Sequence, residues 1–286
     1  MSIRIILTPL FGDDADAAAA QAAFAVTRRF DAHVEGLFAR IDPLDTIPIV
    51  GEGVSPAVID DLTRAAQVEM DKRASAARAH FEAARTAAGV DLAERPPAPG
   101  GTSARWSEIT GRREEVIPRK ARVSDLVVFG AQPSDSPELG GAIETTLVAC
   151  GRPLLLAPKG VQTIGERIAI AWNGSAESAR ALASALPFVE AASAVHVLTA
   201  ETWRTQFDVT EDLADYLEWR GIVCERRSIA AEDEPVGAAL LRAASEAGAD
   251  LLVMGGYGRS RLRELVLGGV TRHVLTHAQL PVLLAH

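Results

Sequence analysis

The sequence predicts an α/β fold made of two tandem, doubly wound, open parallel five-stranded sheets. Three observations carry that prediction. Short apolar runs alternate with alanine-rich amphipathic stretches, which is the grammar of strand and covering helix. The strands read as nearly continuous apolar runs rather than apolar-polar alternations, so both sheet faces are covered. The same landmarks also recur in the same order in the two halves of the 286 residues, a length that suits two domains better than one.

In chain order, Arg4-Ile5-Ile6-Leu7-Thr8-Pro9 predicts a first strand, Asp14 to Phe30 an amphipathic helix, and His33 to Phe38 a second strand. The pattern restarts at Arg167-Ile168-Ala169-Ile170-Ala171-Trp172, continues in a helix from near Ser175, and returns as Ala194-Val195-His196-Val197-Leu198. Ser124 to Gly130 mirrors Ala249 to Gly255, and Arg152 to Ala157 mirrors Leu280 to Ala285. Gly140-Gly141 precedes Pro153 by the same spacing as Gly268-Gly269 precedes Pro281, so the register holds through the last helix. An internal duplication follows, with domains at 1–159 and 166–286 and a seam at Pro158 to Gly165. Pro235 is placed at a helix start, with Gly248 and Gly221 just past helix ends. The halves differ between Asp42 and Gly89, where an apolar loop, Ile47 to Gly51, leads into a helical stretch opening at Ser55-Pro56. An unbroken helix to Gly89 would be about 50 Å long at 1.5 Å per residue. The sequence therefore predicts a break, a protruding arm or a later start.

Composition excludes several functions. A net charge of −9 and a pI near 5.2 disfavour a nucleic-acid or anionic-membrane partner. No run approaches the ~18 apolar residues of a membrane span, and Met1 to Leu7 meets Pro9 and Asp13-Asp14 without the length of a signal peptide. Cys150 and Cys224 stand apart without metal or redox spacing and read as small core residues of a reducing compartment, so the cytoplasm is expected. His273, His277 and His286 lack a metal-binding spacing, and no metal ligands are assigned. His196 reads as a core or rim residue, Ser175 as a helix N-cap, and the four tryptophans as core packing.

In an open parallel sheet, ligands bind beyond the carboxyl ends of the strands where the strand order reverses. The second half places glycine turns there: Asn173-Gly174-Ser175 after its first strand and Gly255-Gly256-Tyr257-Gly258 after its fourth. Glycine allows close backbone approach, and free N–H groups at turns and helix starts receive anions. Gly268-Gly269-Val270-Thr271 begin a last helix whose N-terminus would face the same ligand, and Arg259, Arg261 and Arg263 add positive charge. Phosphate is the expected guest. No P-loop is present, and Arg261 stands where a dinucleotide fingerprint needs its third glycine.

The array Gly255-x2-Gly258-x9-Gly268-Gly269, directly after an apolar strand, resembles that of the universal stress protein family in its tandem two-domain form. The resemblance implies a Rossmann-like fold of adenine-nucleotide-binding type and an ATP site, with magnesium. It places Met254 and Gly255 by the ribose, Val197 by the adenine, and Gly258, Gly268, Gly269 and Val270 on the phosphates, with Arg259 beside them. Gly269 stands where the family's ATP binders carry Ser or Thr, and Asn173 where they carry aspartate. The first half departs further: Pro133 replaces a motif glycine and Phe11 the acidic residue, so it is expected to be a partner domain or to hold another ligand beneath the Ile47 to Val54 loop. The resemblance also implies that the halves pair through their last strands, Leu154 to Leu156 and Val282 to Leu284. A homodimer is compatible with the sequence but not specified by it. The leading reading is a stress-response binding module without turnover. The alternatives are a slow ATPase or self-phosphorylating protein using Ser260 or Thr271, and a sensor or scaffold for a small ligand other than a nucleotide.

Overall fold

The computed structural model describes residues 2–42, 56–95, 101–131, 137–161, 163–200, 209–230, 234–256 and 269–286. The first half runs β1 (Ile5–Leu10), α1 (Ala15–Phe30), β2 (His33–Arg40), α2 (Pro56–Ala88), β3 (Ser103–Thr110), α3 (Arg113–Ala121), β4 (Leu126–Gly130), α4 (Pro137–Ala149), β5 (Leu154–Ala157). The second runs β6 (Arg167–Ala171), α5 (Ala176–Glu190), β7 (Ala194–Ala200), α6 (Glu211–Glu218), β8 (Cys224–Ile229), α7 (Val236–Glu246), β9 (Leu251–Gly255), α8 (Gly269–His277), β10 (Val282–Ala285).

Both predicted five-stranded parallel arrays form, and they merge edge to edge. The sheet has ten strands in the order β3-β2-β1-β4-β5-β10-β9-β6-β7-β8. Within each half neighbouring strands are parallel, and only the central pair, β5 with β10, is antiparallel, with Leu283 opposite Leu155. The pairing of last strands implied by the resemblance is thus present, and it leaves neither strand as an open edge.

Helices α1, α2, α5 and α6 cover one face of the sheet and α3, α4, α7 and α8 the other, and each apolar layer is continuous across both halves. Phe30 of α1 meets Phe188 of α5 edge-to-face at 4.8 Å, and Arg29 reaches Glu166 at 2.7 Å and the carbonyls of Gly165 and Ala191. The repeated aspartates Asp125 and Asp250 have a matching task. Asp125 accepts the N–H groups of Arg4 and Ile5, and Asp250 those of Gly165, Glu166 and Arg167, so each fixes the start of its half's first strand. Sequence periodicity gave no indication of this pairing, because it joins residues more than 80 positions apart.

Local punctuation follows the sequence closely. Ser175 caps α5 by accepting from Ser178 N–H, and Gly221 and Gly248 adopt φ of +74° and +63° after α6 and α7. Pro235 is the N-cap of α7 rather than its first residue. Helix α2 is unbroken over 33 residues. Of the three expectations for it, the arm is the one realised. Its first turns leave Val58, Leu62 and Val68 exposed, while Phe81 near its other end packs against Gly36, Phe24 and Trp106. Trp219 corrects the sequence reading. It is 92% exposed at the end of α6, where the buried stripe is made by Leu213 and Leu217 instead. The Ile47 to Val54 loop, Trp203 and Pro133 lie outside the described residues. No helix among the described residues is long and apolar enough to cross a membrane.

Because the two halves share both apolar layers, Leu283→Ala at the fully buried central pair should cost about 2–5 kcal/mol. Urea unfolding should remain a single transition. Two separated transitions in the wild-type chain would show that the halves are independent.

Candidate functional site

Strand order reverses in each half between the first and fourth strands, at β6/β9 in the second half and β1/β4 in the first. Loops leaving the carboxyl ends of such a pair diverge and open a crevice. In the second half, the turn after β6 is built for tightness. Trp172 donates its indole N–H to Val209 O at 2.7 Å, and Gly174 sits at φ +71° against Val209, where an added Cβ would lie 3.3 Å from the valine side chain. Asn173 is exposed and its Oδ1 accepts from Ser175 N–H at 3.1 Å, so its acceptor oxygen also serves the turn.

Gly255 ends β9 against the first turn of α5. A Cβ there would lie 2.7 Å from Glu177 C and Ser178 N, so only glycine lets the strand end and helix start approach this closely. Gly256 continues beside Leu147 of α4 and donates its N–H to Ala285 O. Asn173, Met254 and Gly255 therefore lie together at the carboxyl ends of β6 and β9, paired strands in which Ala171 faces Met254. Val197 lies one strand away, fully buried and paired with Ile170. Gly269 opens α8 with no other group among the described residues within 4 Å of where a Cβ would lie, and Val270 is partly buried against the second apolar layer. Gly258, Arg259, Gly268 and Ser260 lie outside the described residues, and Thr271 is buried within α8.

Sequence reasoning missed Thr199. Two residues beyond Val197 and on the same face of β7, its buried hydroxyl has no hydrogen-bond partner among the described residues. An unsatisfied buried hydroxyl is costly unless something completes it. The signal available in the sequence was a threonine ending an otherwise apolar strand. His196, on the opposite face, is buried with Nδ1 3.1 Å from a Glu225 carboxylate oxygen, a rim position facing an edge strand. His273 and His277 stack at 4.2 Å on α8, and no group of three or more metal-ligating side chains occurs among the described residues.

The equivalent crevice in the first half is filled by the chain itself. Asp16, buried in the first turn of α1, accepts the N–H groups of Phe11 and Gly12 at 2.8 and 2.7 Å, the donors that would otherwise face a ligand. Burial pushes this carboxyl up to about 7, against the backbone donors that pull it down. Helix α2 crosses directly over Gly12, which is at φ +78° with the Arg73 backbone pressed against its Cα. Phe11 is buried beside Phe129 and under the Arg113 guanidinium. Gly130, the counterpart of Gly255, packs on Ala15 at the start of α1. The two strand-ending glycines thus have the same packing role, whichever crevice is open.

Comparison with known proteins agrees with this architecture. Residues 165–286 match the model of the universal stress protein family. A universal stress protein of Synechocystis sp. is 28% identical over 171 residues, covering 56% of this chain and 57% of that protein, so the chain spans little more than half of this curated relative. Among solved structures, a universal stress protein from Archaeoglobus fulgidus superposes with a TM-score of 0.66 at 16% identity, over 99% of this chain and 96% of that one. A protein of unknown function from Pseudomonas aeruginosa does so with a TM-score of 0.59 at 16% identity, over 99% and 92%. At these identities the likeness concerns the fold.

Gly255→Ala forces the start of α5 to move and should cost about 1–3 kcal/mol, whereas Gly141→Ala, in open space on α4, should gain about 0.5–1 kcal/mol, both by thermal melting. Asp16 binds its proton more tightly in the folded chain than in the unfolded one, so its contribution to stability falls as pH rises from about 4 to about 7. Asp16→Asn removes that dependence. The stability of wild type relative to D16N, from urea titrations, should fall between pH 4.5 and 7.5.

Proposed function

We propose that this chain, whose residues 165–286 belong to the universal stress protein family, is a tandem two-domain protein that binds one adenine nucleotide, at the crevice between β6 and β9. The observation that carries the reading is the contrast between two crevices of one topology. In the first half the turn donors are taken by the buried Asp16 carboxylate and the α2 backbone lies over Gly12; in the second the Ser175 N–H goes to the neutral Asn173 amide and Gly174 meets the Val209 side chain, at the looser distance of 3.3 Å. The N-terminus of α8 at Gly269 presents first-turn backbone N–H groups, which have no acceptor within the helix and are of the kind that receive phosphate. Thr199 offers a buried hydroxyl in need of a partner near the proposed base position beside Val197.

In this reading the domains are 1–159 and 166–286, with the first a closed companion that completes the sheet. Met254 and Gly255 lie by the ribose, Gly258, Gly268, Gly269 and Val270 donate N–H groups to the phosphates, Arg259 adds charge, and magnesium accompanies the ATP of the cytoplasm. Asn173 contributes an acceptor without the charge of an aspartate, and Gly269 lacks a hydroxyl to place on phosphate, so affinity is lowered by roughly 1.5–3 kcal/mol relative to a site with that hydrogen bond. The chain acts by binding rather than turnover, changing its association with partners when nucleotide is present.

Calorimetry of the full chain with magnesium and ATP, ADP, AMP or a cyclic nucleotide should give binding of at least one of them, and Gly258→Asp with Gly268→Asp should abolish it. ATP hydrolysis should be equal in wild type and the double variant. Absence of any heat or melting shift with all four nucleotides overturns the reading.

A further inference from the structure

At the carboxyl end of β1, two arginines from different helices converge on one carboxylate. Arg73, from α2, donates Nε–H to Phe11 O at 3.1 Å and Nη2 to Glu138 Oε2 at 3.2 Å. Arg113, from the start of α3, donates Nη1 to the same Glu138 oxygen and lies over the Phe11 ring, its guanidinium carbon 5.3 Å from the ring centre. Glu138 belongs to the first turn of α4, a helix of 13 residues.

The pairing is unbalanced in charge and in hydrogen bonds. Two guanidinium groups share one carboxylate oxygen, which leaves a net positive charge. The Arg113 side chain is 5% exposed, yet its Nη2 is buried without a hydrogen-bond partner among the described residues. A guanidinium fork matches an oxyanion through two parallel N–H donors, and here only one is used. An unpaired buried donor on a charged group is among the more costly omissions a fold can carry. The Glu138 side chain, in contrast, is 51% exposed and can swing outward into water. The three groups come from three elements, so the arrangement is a consequence of tertiary packing.

We propose that Arg73 and Arg113, with the N-terminus of α4, form a binding site for a phosphate-class oxyanion, and that Glu138 is the internal stand-in that such an anion displaces. A tetrahedral dianion offers oxygens to Arg113 Nη1 and Nη2 and to Arg73 Nη2 at once, neutralises both arginines, and places charge at the positive end of α4. The site lies in the first half, is built from side chains on helices, and does not depend on the second half's glycine array. Helix α2, the segment that distinguishes the first half from the second, is what delivers Arg73.

The test uses the full chain carrying Gly258→Asp and Gly268→Asp, so that the nucleotide site proposed above cannot contribute whether or not it exists. In that background Glu138→Gln removes the competing charge. Inorganic phosphate, followed by thermal melting and ³¹P line broadening, should bind E138Q with a dissociation constant at least tenfold lower than the Glu138 chain. At about ten times that constant it should raise the melting temperature by about 3 °C. Adding Arg73→Gln, on the partly exposed face of α2, or Arg113→Gln should each abolish the response. A phosphate monoester run in parallel separates the free ion from an esterified headgroup, since only a site open past Glu138 accepts both. Equal phosphate affinity with and without E138Q, or a response that survives R73Q, overturns the proposal. If E138Q melts low in phosphate-free buffer, restoration by phosphate is the supporting result and its failure the opposing one.

Discussion

The antiparallel pairing of β5 with β10 is the constraint on which the rest of the molecule depends. Residues Leu154 to Leu156 and Val282 to Leu284 are almost completely buried, and each strand would be an exposed apolar edge without the other. Their pairing makes one ten-stranded sheet, which in turn makes the two apolar layers continuous from one half to the other. It also brings α1 against α5, where Phe30 and Phe188 pack and Arg29 satisfies the Gly165 and Ala191 carbonyls. Leu147 of α4 reaches Gly256 across the same junction, so the end of β9 rests partly on the first half.

Within that frame the two halves use the same devices and reach different ends. Asp125 and Asp250 fix the first strands, and Gly130 and Gly255 allow the fourth strand to approach the first helix. What differs is polar detail. Asp16 in the first half accepts the N–H groups of the β1–α1 turn, whereas Ser175 in the second caps α5 and leaves the turn to the Asn173 oxygen. A similar divergence occurs on the sheet itself. Glu35 is held by Lys120, Arg105 and Ser107, while His196, at the matching place in β7, faces Glu225 with its ring nitrogens unsatisfied by good hydrogen bonds. Both groups sit near the outer strands, where their partners Arg105 and Glu225 remain partly exposed to water.

Much of the fold was legible in the sequence because strands and helices are set by local periodicity and punctuation. The restart at Arg167, the cap at Ser175 and the helix-ending Gly221 and Gly248 are all decisions made within a few residues. Less was legible where a residue's role depends on a distant neighbour. Trp219 reads as core because tryptophan is usually buried, yet α6 is short and its buried stripe is complete with Leu213 and Leu217. Thr199 looks like one more strand residue, and only its burial without a partner makes it notable. The glycine positions bordering the β6/β9 crevice could be named from spacing, but the reason for Gly255, close approach to Glu177 and Ser178, could not.

The sequence by itself determined the duplication, the first, second, fourth and fifth strands of each half, and the glycines that mark one half as different from the other, because each of these is written in short-range pattern. Tertiary structure decided which crevice is closed. That outcome turns on α2 laying the Arg73 backbone over Gly12 and on Arg73 and Arg113 meeting at Glu138, contacts between residues dozens of positions apart. Packing at van der Waals distance and the pairing of buried charge are properties of the assembled chain, and no local periodicity encodes them.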